Sequence, residues 1–316
     1  MHLAIAALAT LILTCPIASA QQPSAPPSFD ASTSLVSRIG GEIPARVNDM
    51  YKSGGRPLLK TYTPTPDEMK KAEAALALLT PLQKSIAQKH LRSFTFTDAS
   101  DFNGQTLRSG QGDDFAIDII FNRRILSETV SDFLTRKERQ LFDASGSTLE
   151  LAADGGKLDA IVYVMLHETT HLVDQRLRLT PQGLPSMEIA EKDQTDFSRG
   201  IWKTGGQLAA PYEDPIFRRA SFEPDTKKIP ISEAKSLYEA LGRTPAVSIY
   251  ATRLVIEDLP ETVAWRQMDK LGQPYRIEVR DKAKAGKVTY TYEPLKNVAL
   301  RARFAQLSLF DSPAAN

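Results

Sequence analysis

The chain has 316 residues, 39 Lys and Arg against 38 Asp and Glu, a formal net charge of +1, 42% hydrophobic residues and 24% charged ones. Such a chain can bury a sizeable core as one large domain or two small ones. A charge this close to balance excludes bulk attraction to nucleic acid or to an anionic membrane, and the sequence carries neither a Gly-rich phosphate loop ahead of a Lys nor a dinucleotide fingerprint.

Leu3 to Leu13 is nearly all apolar, and Ala18-Ser19-Ala20 offers the small residues of a cleavage site before Gln21. The pattern predicts an export signal over 1–20, removed after Ala20, although its leading segment holds His2 and no Lys or Arg. The apolar run is too short to span a bilayer as a helix of about 20 residues. Cleavage would remove Cys15, the one cysteine, leaving an exported (periplasmic or secreted) chain with no disulfide and no integral membrane segment. A lipidated Cys15 is the alternative, for which Thr14 is a poor flanking residue. Residues 21–33, rich in Pro, Ser and Ala, read as a disordered leader to a single domain over 34–316.

Within that domain, Pro64 and Pro66 precede a predicted helix near 67–79 with Asp67 and Glu68 in its first turn, and Thr80-Pro81 opens a second one to about Leu91. His90 ends it as a dipole-compensating or surface residue. Phe94–Thr97 reads as a short strand, 98–114 as a Gly/Asp/Ser-rich loop, and Phe115–Phe121 as a β-branched strand expected to form the sheet edge beside the site. Thr135-x-x-Glu138 reads as a capping box opening a further helix. Gly155-Gly156 breaks the chain before a helix placed at about 157–178.

That helix contains His167-Glu168-Thr169-Thr170-His171. Two histidines four residues apart lie about 40° apart around a helix and roughly 6 Å along it, so both can reach one metal ion. Zinc suits them, taking neutral imidazole nitrogen at about 2.0–2.1 Å. Glu168 is too close in sequence to His167 to share the ion and is placed instead to act as general base on a water in an open coordination position. An ordinary amphipathic helix could carry the same letters. Leu158, Ile161, Val162, Met165, Leu166, Leu172 and Val173, however, make this helix a buried one, which would not carry two histidines and a glutamate uncompensated.

Beyond it, 182–231 is a long stretch with scattered apolar anchors, Ile201, Trp202, Tyr212 and Phe217, fit to wall a cleft or to pack in the core. Ser232 opens a helix closed by Gly242, and 246–271 is helical again. Tyr275–Arg280 and Lys287–Tyr292 alternate as a hairpin, and 297–310 is an amphipathic helix.

A catalytic zinc needs a third protein ligand. His90 is the one other histidine after signal removal, and Asp174 and Leu177 stand where the extended metzincin pattern requires Gly and His, so a carboxylate is expected. Glu257 and Glu261, four apart on one helical face, are the candidates, one as ligand and one as outer partner, with a solvated acidic face as the bland alternative. Pro260 between them requires a helix that starts near Ile256, leaving Pro260 in its first turn, or one that kinks.

His167-Glu168-Thr-Thr-His171-Leu-Val-Asp174, followed by Tyr250-x6-Glu257-x3-Glu261-x2-Ala264, resembles the gluzincin metallopeptidases, closest to the anthrax-lethal-factor-like catalytic domain. The likeness covers two short helices. It implies an α+β, mostly helical zincin-like fold with a small mixed sheet packed on the motif helix. It implies that His167, His171 and Glu257 bind Zn2+, that Glu168 activates the water, that Tyr250 hydrogen-bonds the developing oxyanion, and that Glu261 is an outer-shell group or the ligand itself. Asp174 is placed to orient a ligand histidine. The activity implied is hydrolysis of a peptide or protein substrate. The alternatives are a zincin-fold binding protein without turnover and a zinc hydrolase of a non-peptide bond.

Overall fold

The computed structural model describes residues 29–98 and 102–314. The expected export signal and Cys15 lie outside them. Of the leader, residues 29–33 are described and form a hydrogen-bonded turn rather than a disordered segment: Asp30 Oδ1 accepts from Ser32 N, and the Arg38 guanidinium donates to the carbonyls of Ala31 and Thr33.

Helices α1 (Ala45–Ser53), α2 (Pro66–Ala77) and α3 (Pro81–His90) lead into strands β1 (Leu91–Thr97), β2 (Gly104–Gln111) and β3 (Asp114–Asn122). Both α2 and α3 start on full capping boxes, Thr65 with Glu68 and Thr80 with Gln83, each followed by Pro at the first helical position. The sheet order is β1-β3-β2, with β1 parallel and β2 antiparallel to β3. Two sequence expectations fail here. The segment 98–114 is not all loop, since it contains β2, and the Phe115–Phe121 strand is not the edge but the centre. Its two apolar faces explain the second result. Ile117, Ile119 and Phe121 join the main core, while Ile120 meets Val47 and Tyr51 of α1 in a smaller cluster. A strand buried on both faces belongs inside a sheet.

Next come α4 (Val130–Arg139), β4 (Phe142–Asp143), β5 (Leu149–Asp154) and the motif helix α5 (Ala160–Leu177). The capping box of α4 is Thr129 with Asp132, so Thr135 and Glu138 lie in its body and not at its start. Thr135 serves β5 instead, its hydroxyl accepting from Ala153 N. α5 begins three residues later than expected and ends where Arg178 turns left-handed at φ 53°.

The stretch 182–231 is stitched by short elements, β6 (Trp202–Thr204), β7 (Gln207–Leu208), α6 (Pro215–Arg219) and β8 (Ile229–Pro230). Helix α7 (Ala234–Gly242) follows a 3-10 turn over Ile231–Glu233, with no side-chain cap from Ser232. The 3-10 turn Tyr250–Thr252 and α8 (Val255–Lys270) come next, then β9 (Arg276–Asp281), β10 (Lys287–Tyr292) and α9 (Val298–Gln306). The expected hairpin is β9–β10, and β5 pairs antiparallel on the far side of β9. The architecture is α+β with small sheets, helices predominating.

α5 is the hub, packed on α2, α3, α4 and α8 and against β2 and β3. Every residue from Ala160 to Asp174 is buried. Gln83, already the reciprocal partner in its own capping box, reaches from α3 to the Leu166 carbonyl at 2.7 Å and to the Thr169 and Thr170 hydroxyls within 3.0 Å, so the two middle residues of the motif are tied to a neighbouring helix. On the other side the chain's C-terminal part clamps α8. Asp258, fully buried, accepts from both Arg303 terminal nitrogens at 2.9 and 2.7 Å and from Trp202 Nε1 at 2.9 Å.

Removing one partner of such a pair leaves a buried charge exposed to no water. Arg303→Met should therefore lower the unfolding free energy by about 3–5 kcal/mol, measured by urea denaturation followed by circular dichroism. A loss of the size of a surface ion pair, below about 1 kcal/mol, would contradict the clamp.

Candidate metal centre

The His167 and His171 rings project one helical turn apart from α5, with centroids 5.0 Å apart and planes at 72°. Facing them from the first turn of α8 is Glu257, its Oε2 3.2 Å from His167 Nε2 and 3.5 Å from His171 Nε2. A tetrahedral shell with bonds of about 2.0–2.1 Å separates neighbouring donor atoms by roughly 3.3 Å. The three side chains are buried and converge closely enough to share one ion. His171 Nε2 and Glu257 Oε1 have no hydrogen-bond partner. Polar atoms left so in a core are costly, and a cation held between them removes that cost. The donor set therefore fits a divalent metal.

Glu261, one turn further along α8, is engaged elsewhere. Its Oε1 accepts from Tyr163 Oη at 2.5 Å and from Lys137 Nζ at 3.1 Å, its Oε2 accepts from Ser248 Oγ at 2.5 Å, and Oε1 faces His167 Nδ1 at 3.3 Å. Of the two carboxylates left open by the sequence, Glu257 is the one grouped with both imidazoles, and Glu261 backs the rear nitrogen of His167. Helix α8 starts at Val255, so Pro260 is its sixth residue and lies past the first turn, inside the helix. The N-terminal two turns still present Glu257 and Glu261 on one face.

Electrostatics follow from this crowding. Burial opposes a charged His167, but the hydrogen-bonded Glu257 carboxylate and the Glu261 carboxylate beside it win and push the ring up to about 10. Burial raises the carboxyls of Glu257 and Glu261 too, yet the imidazoles, and Lys137 for Glu261, hold both far below the ordinary range. Glu168 moves the other way. Its burial outweighs the nearby imidazoles and the Thr106 hydrogen bond, so its carboxyl is raised.

Glu168 sits beneath β2. Thr106 Oγ donates to its Oε2 at 2.7 Å, and a Cβ on Gly104 would stand 2.6 Å from both its Cγ and its Oε1. Only glycine leaves room for the carboxylate there. Tyr250 opens the 3-10 turn before α8, its ring 6.1 Å from that of His167, capped by Lys137 Nζ at 4.1 Å and met edge-on by Phe222 at 5.4 Å.

Asp174 does not do what was expected of it. Its oxygens accept from Thr180 N at 2.8 Å and Thr180 Oγ1 at 2.5 Å, locking the left-handed turn that ends α5, and His171 Nδ1 has no hydrogen-bond partner. His90 is remote from the cluster, stacked on Phe115 at 4.2 Å. Gly104, Thr106, Lys137, Tyr163 and Ser248 escaped sequence reasoning. The first two fell in a stretch read as loop. Lys137 had one faint signal, a cation four residues after Phe133 on an otherwise apolar helical face.

No family model, no curated protein and no solved structure matches this chain.

Two outcomes follow from the geometry. Glu257→Ala should abolish uptake of a divalent metal, while Glu261→Gln should weaken it by about 10–100-fold, as measured by competition with a chromophoric chelator; the reverse order would make Glu261 the ligand. Coordination also requires a neutral His167, and the neighbouring Glu257 and Glu261 carboxylates favour its protonated form. Metal affinity should thus rise with pH through the neutral range, and uptake at pH 7 should release about one proton. Calorimetric titration in two buffers of different ionisation heat counts it, and no release would refute the protonated ring.

Proposed function

We propose that this chain is an exported zinc metallopeptidase of the gluzincin type, with a zincin-like fold, acting on a peptide or protein substrate. The observation that carries the reading is the convergence of His167, His171 and Glu257 on one buried point with the Glu168 carboxylate fixed beside it by Thr106 and Gly104. A purely structural site has no use for that separately anchored carboxylate. Two imidazoles and a carboxylate, with a fourth position free, are the donor set of catalytic zinc. The export signal read from 1–20 supports the location.

Zinc, when bound, supplies a Lewis acid that brings a water's pKa toward 7 and polarises a carbonyl. Glu168 is the base that takes the proton of the attacking water, and its raised pKa suits it to hold that proton and pass it to the leaving amine. The Thr106 hydrogen bond and the space above Gly104 hold the carboxylate in one orientation throughout. Tyr250, its ring against His167, donates a hydrogen bond to the developing oxyanion. Glu261 keeps the His167 ring aligned from behind.

The substrate's track is the outer edge of β2. It lies at the end of the order β1-β3-β2, so that edge has no strand neighbour among the described residues. An extended peptide added there, hydrogen-bonding backbone to backbone, runs alongside the strand whose Thr106 holds Glu168.

Glu168→Gln should keep its metal and lose about 10²–10⁴-fold in the rate of cleaving an unfolded protein, while a chelator should silence the wild type and zinc restore it. A zinc-loaded wild type that binds peptides without cutting them would mark a binding protein, and one that cuts only non-peptide esters or amides a different hydrolase.

A further inference from the structure

The segment from Ser221 to Lys228, between α6 and β8, forms one wall of a concavity of about 430 Å³. Its lining is strongly basic: Arg218, Arg219, Lys227, Lys228 and Arg253, with Glu223 as its one acidic member. Two of these cations are neutralised, Arg219 by a two-pronged pair with Glu233 at 2.7 and 2.8 Å and Arg218 by Glu213. Arg253 is not. Its Nη1 donates to the Ala220 carbonyl at 2.6 Å, and the half-buried guanidinium forms no ion pair with a described residue. Lys228 is held by oxygens of Ser221 at 3.0 Å, Glu223 and Thr226, with the Glu223 and Asp225 carboxylates acting on it from nearby. A half-buried guanidinium with no ion pair among the described residues, in a hollow lined by five cations and one acid, suits a carboxylate.

The hollow adjoins the metal centre. Arg253 closes the 3-10 turn that Tyr250 opens, and Ser221 precedes Phe222, whose ring meets Tyr250 at 5.4 Å, which in turn meets His167 at 6.1 Å. Two ring contacts therefore separate the pocket wall from a metal-binding histidine. An extended peptide advances about 3.3 Å per residue, so a residue roughly three to five positions from the scissile bond reaches that far. From this we propose that the basic pocket takes a carboxylate of the substrate chain, from an acidic side chain or from the chain's own C-terminus, and so selects where the peptidase cuts. The inference rests on the peptidase reading for its consequence, not for the binding itself.

The experiment compares four peptides of one sequence: with Glu or with Gln at the distal positions, each with a free or an amidated C-terminus. Zinc-loaded wild type should cleave the acidic peptides at least tenfold faster in kcat/KM than the neutral ones, mainly through KM, with the difference shrinking as salt rises. Loss of the preference on amidation assigns the carboxylate to the C-terminus, and its survival assigns it to the side chain. The variant K227A, at an exposed residue, and the variant R253Q should each reduce the acidic-to-neutral ratio severalfold. Anisotropy with fluorescent peptides on the Glu168→Gln protein reads binding without turnover. Cleavage of all four peptides at equal rates overturns the pocket and leaves the peptidase standing. Tighter binding of the acidic peptides with no cleavage by wild type overturns the peptidase and leaves the pocket.

Discussion

Everything at this centre depends on one carboxylate, that of Glu257, placed between two imidazoles from another helix. Its position is a statement about two helices at once: α5 must present His167 and His171 on one face, and α8 must bring its first turn against that face. Neither helix could bury these groups alone. Glu257, Glu261, His167 and His171 are all almost fully enclosed, and the core tolerates them because their charges compensate. The two carboxylates face the Lys137 ammonium and a His167 ring whose pKa they raise. A dication held there would compensate the same carboxylates that a charged His167 compensates.

The surroundings of the centre read as a means of keeping α5 and α8 in register. Gln83 ties the motif's two threonines to α3. Arg303 and Trp202 hold Asp258, the residue next to Glu257, so the C-terminal helix α9 and the long stretch after α5 both fix the ligand helix at the point where it matters. Arg266 extends the same clamp, donating to Asp311 through both terminal nitrogens at 2.8 Å. Pro260 fits this picture. A proline in the second turn of α8 removes one backbone hydrogen bond, and packing from three other segments leaves the helix its course.

What the sequence disclosed was what local chemistry encodes. Prolines ahead of an acidic first turn announced α2, Thr80-Pro81 announced α3, the β-branched run announced β3, and alternation announced the β9–β10 hairpin. The pair His167 and His171 needed only helical spacing. The choice between Glu257 and Glu261 was not local. Both lie on one face of one helix, and only Tyr163, Lys137 and Ser248, three donors from three different segments, distinguish them by saturating Glu261. Asp174 shows the converse error. Its spacing from the histidines is right for orienting one, but Thr180, six residues on, offers two donors to the same carboxylate at a helix end that needs closing. A nearby backbone amide prevails over a more distant ring.

The strand that escaped notice is the most instructive case. Gly104-Gln-Thr-Leu-Arg-Ser-Gly-Gln111 has one large apolar residue, Leu107, and two glycines, and by composition it is a loop. It is a strand because β3, already buried on both faces, offers it a full ladder of partners from Asp114 to Phe121. Its lack of apolar residues has a cause in the chemistry above it. At Gly104 any side chain would strike the Glu168 carboxylate, and at Thr106 a hydroxyl is required to hold that carboxylate. Gly110, the other glycine, answers a different need at the far end of the strand, where φ is 92° and a Cβ would stand 2.3 Å from the Asp114 carbonyl oxygen. The features that hid β2 are thus in part those that its contact with Glu168 requires.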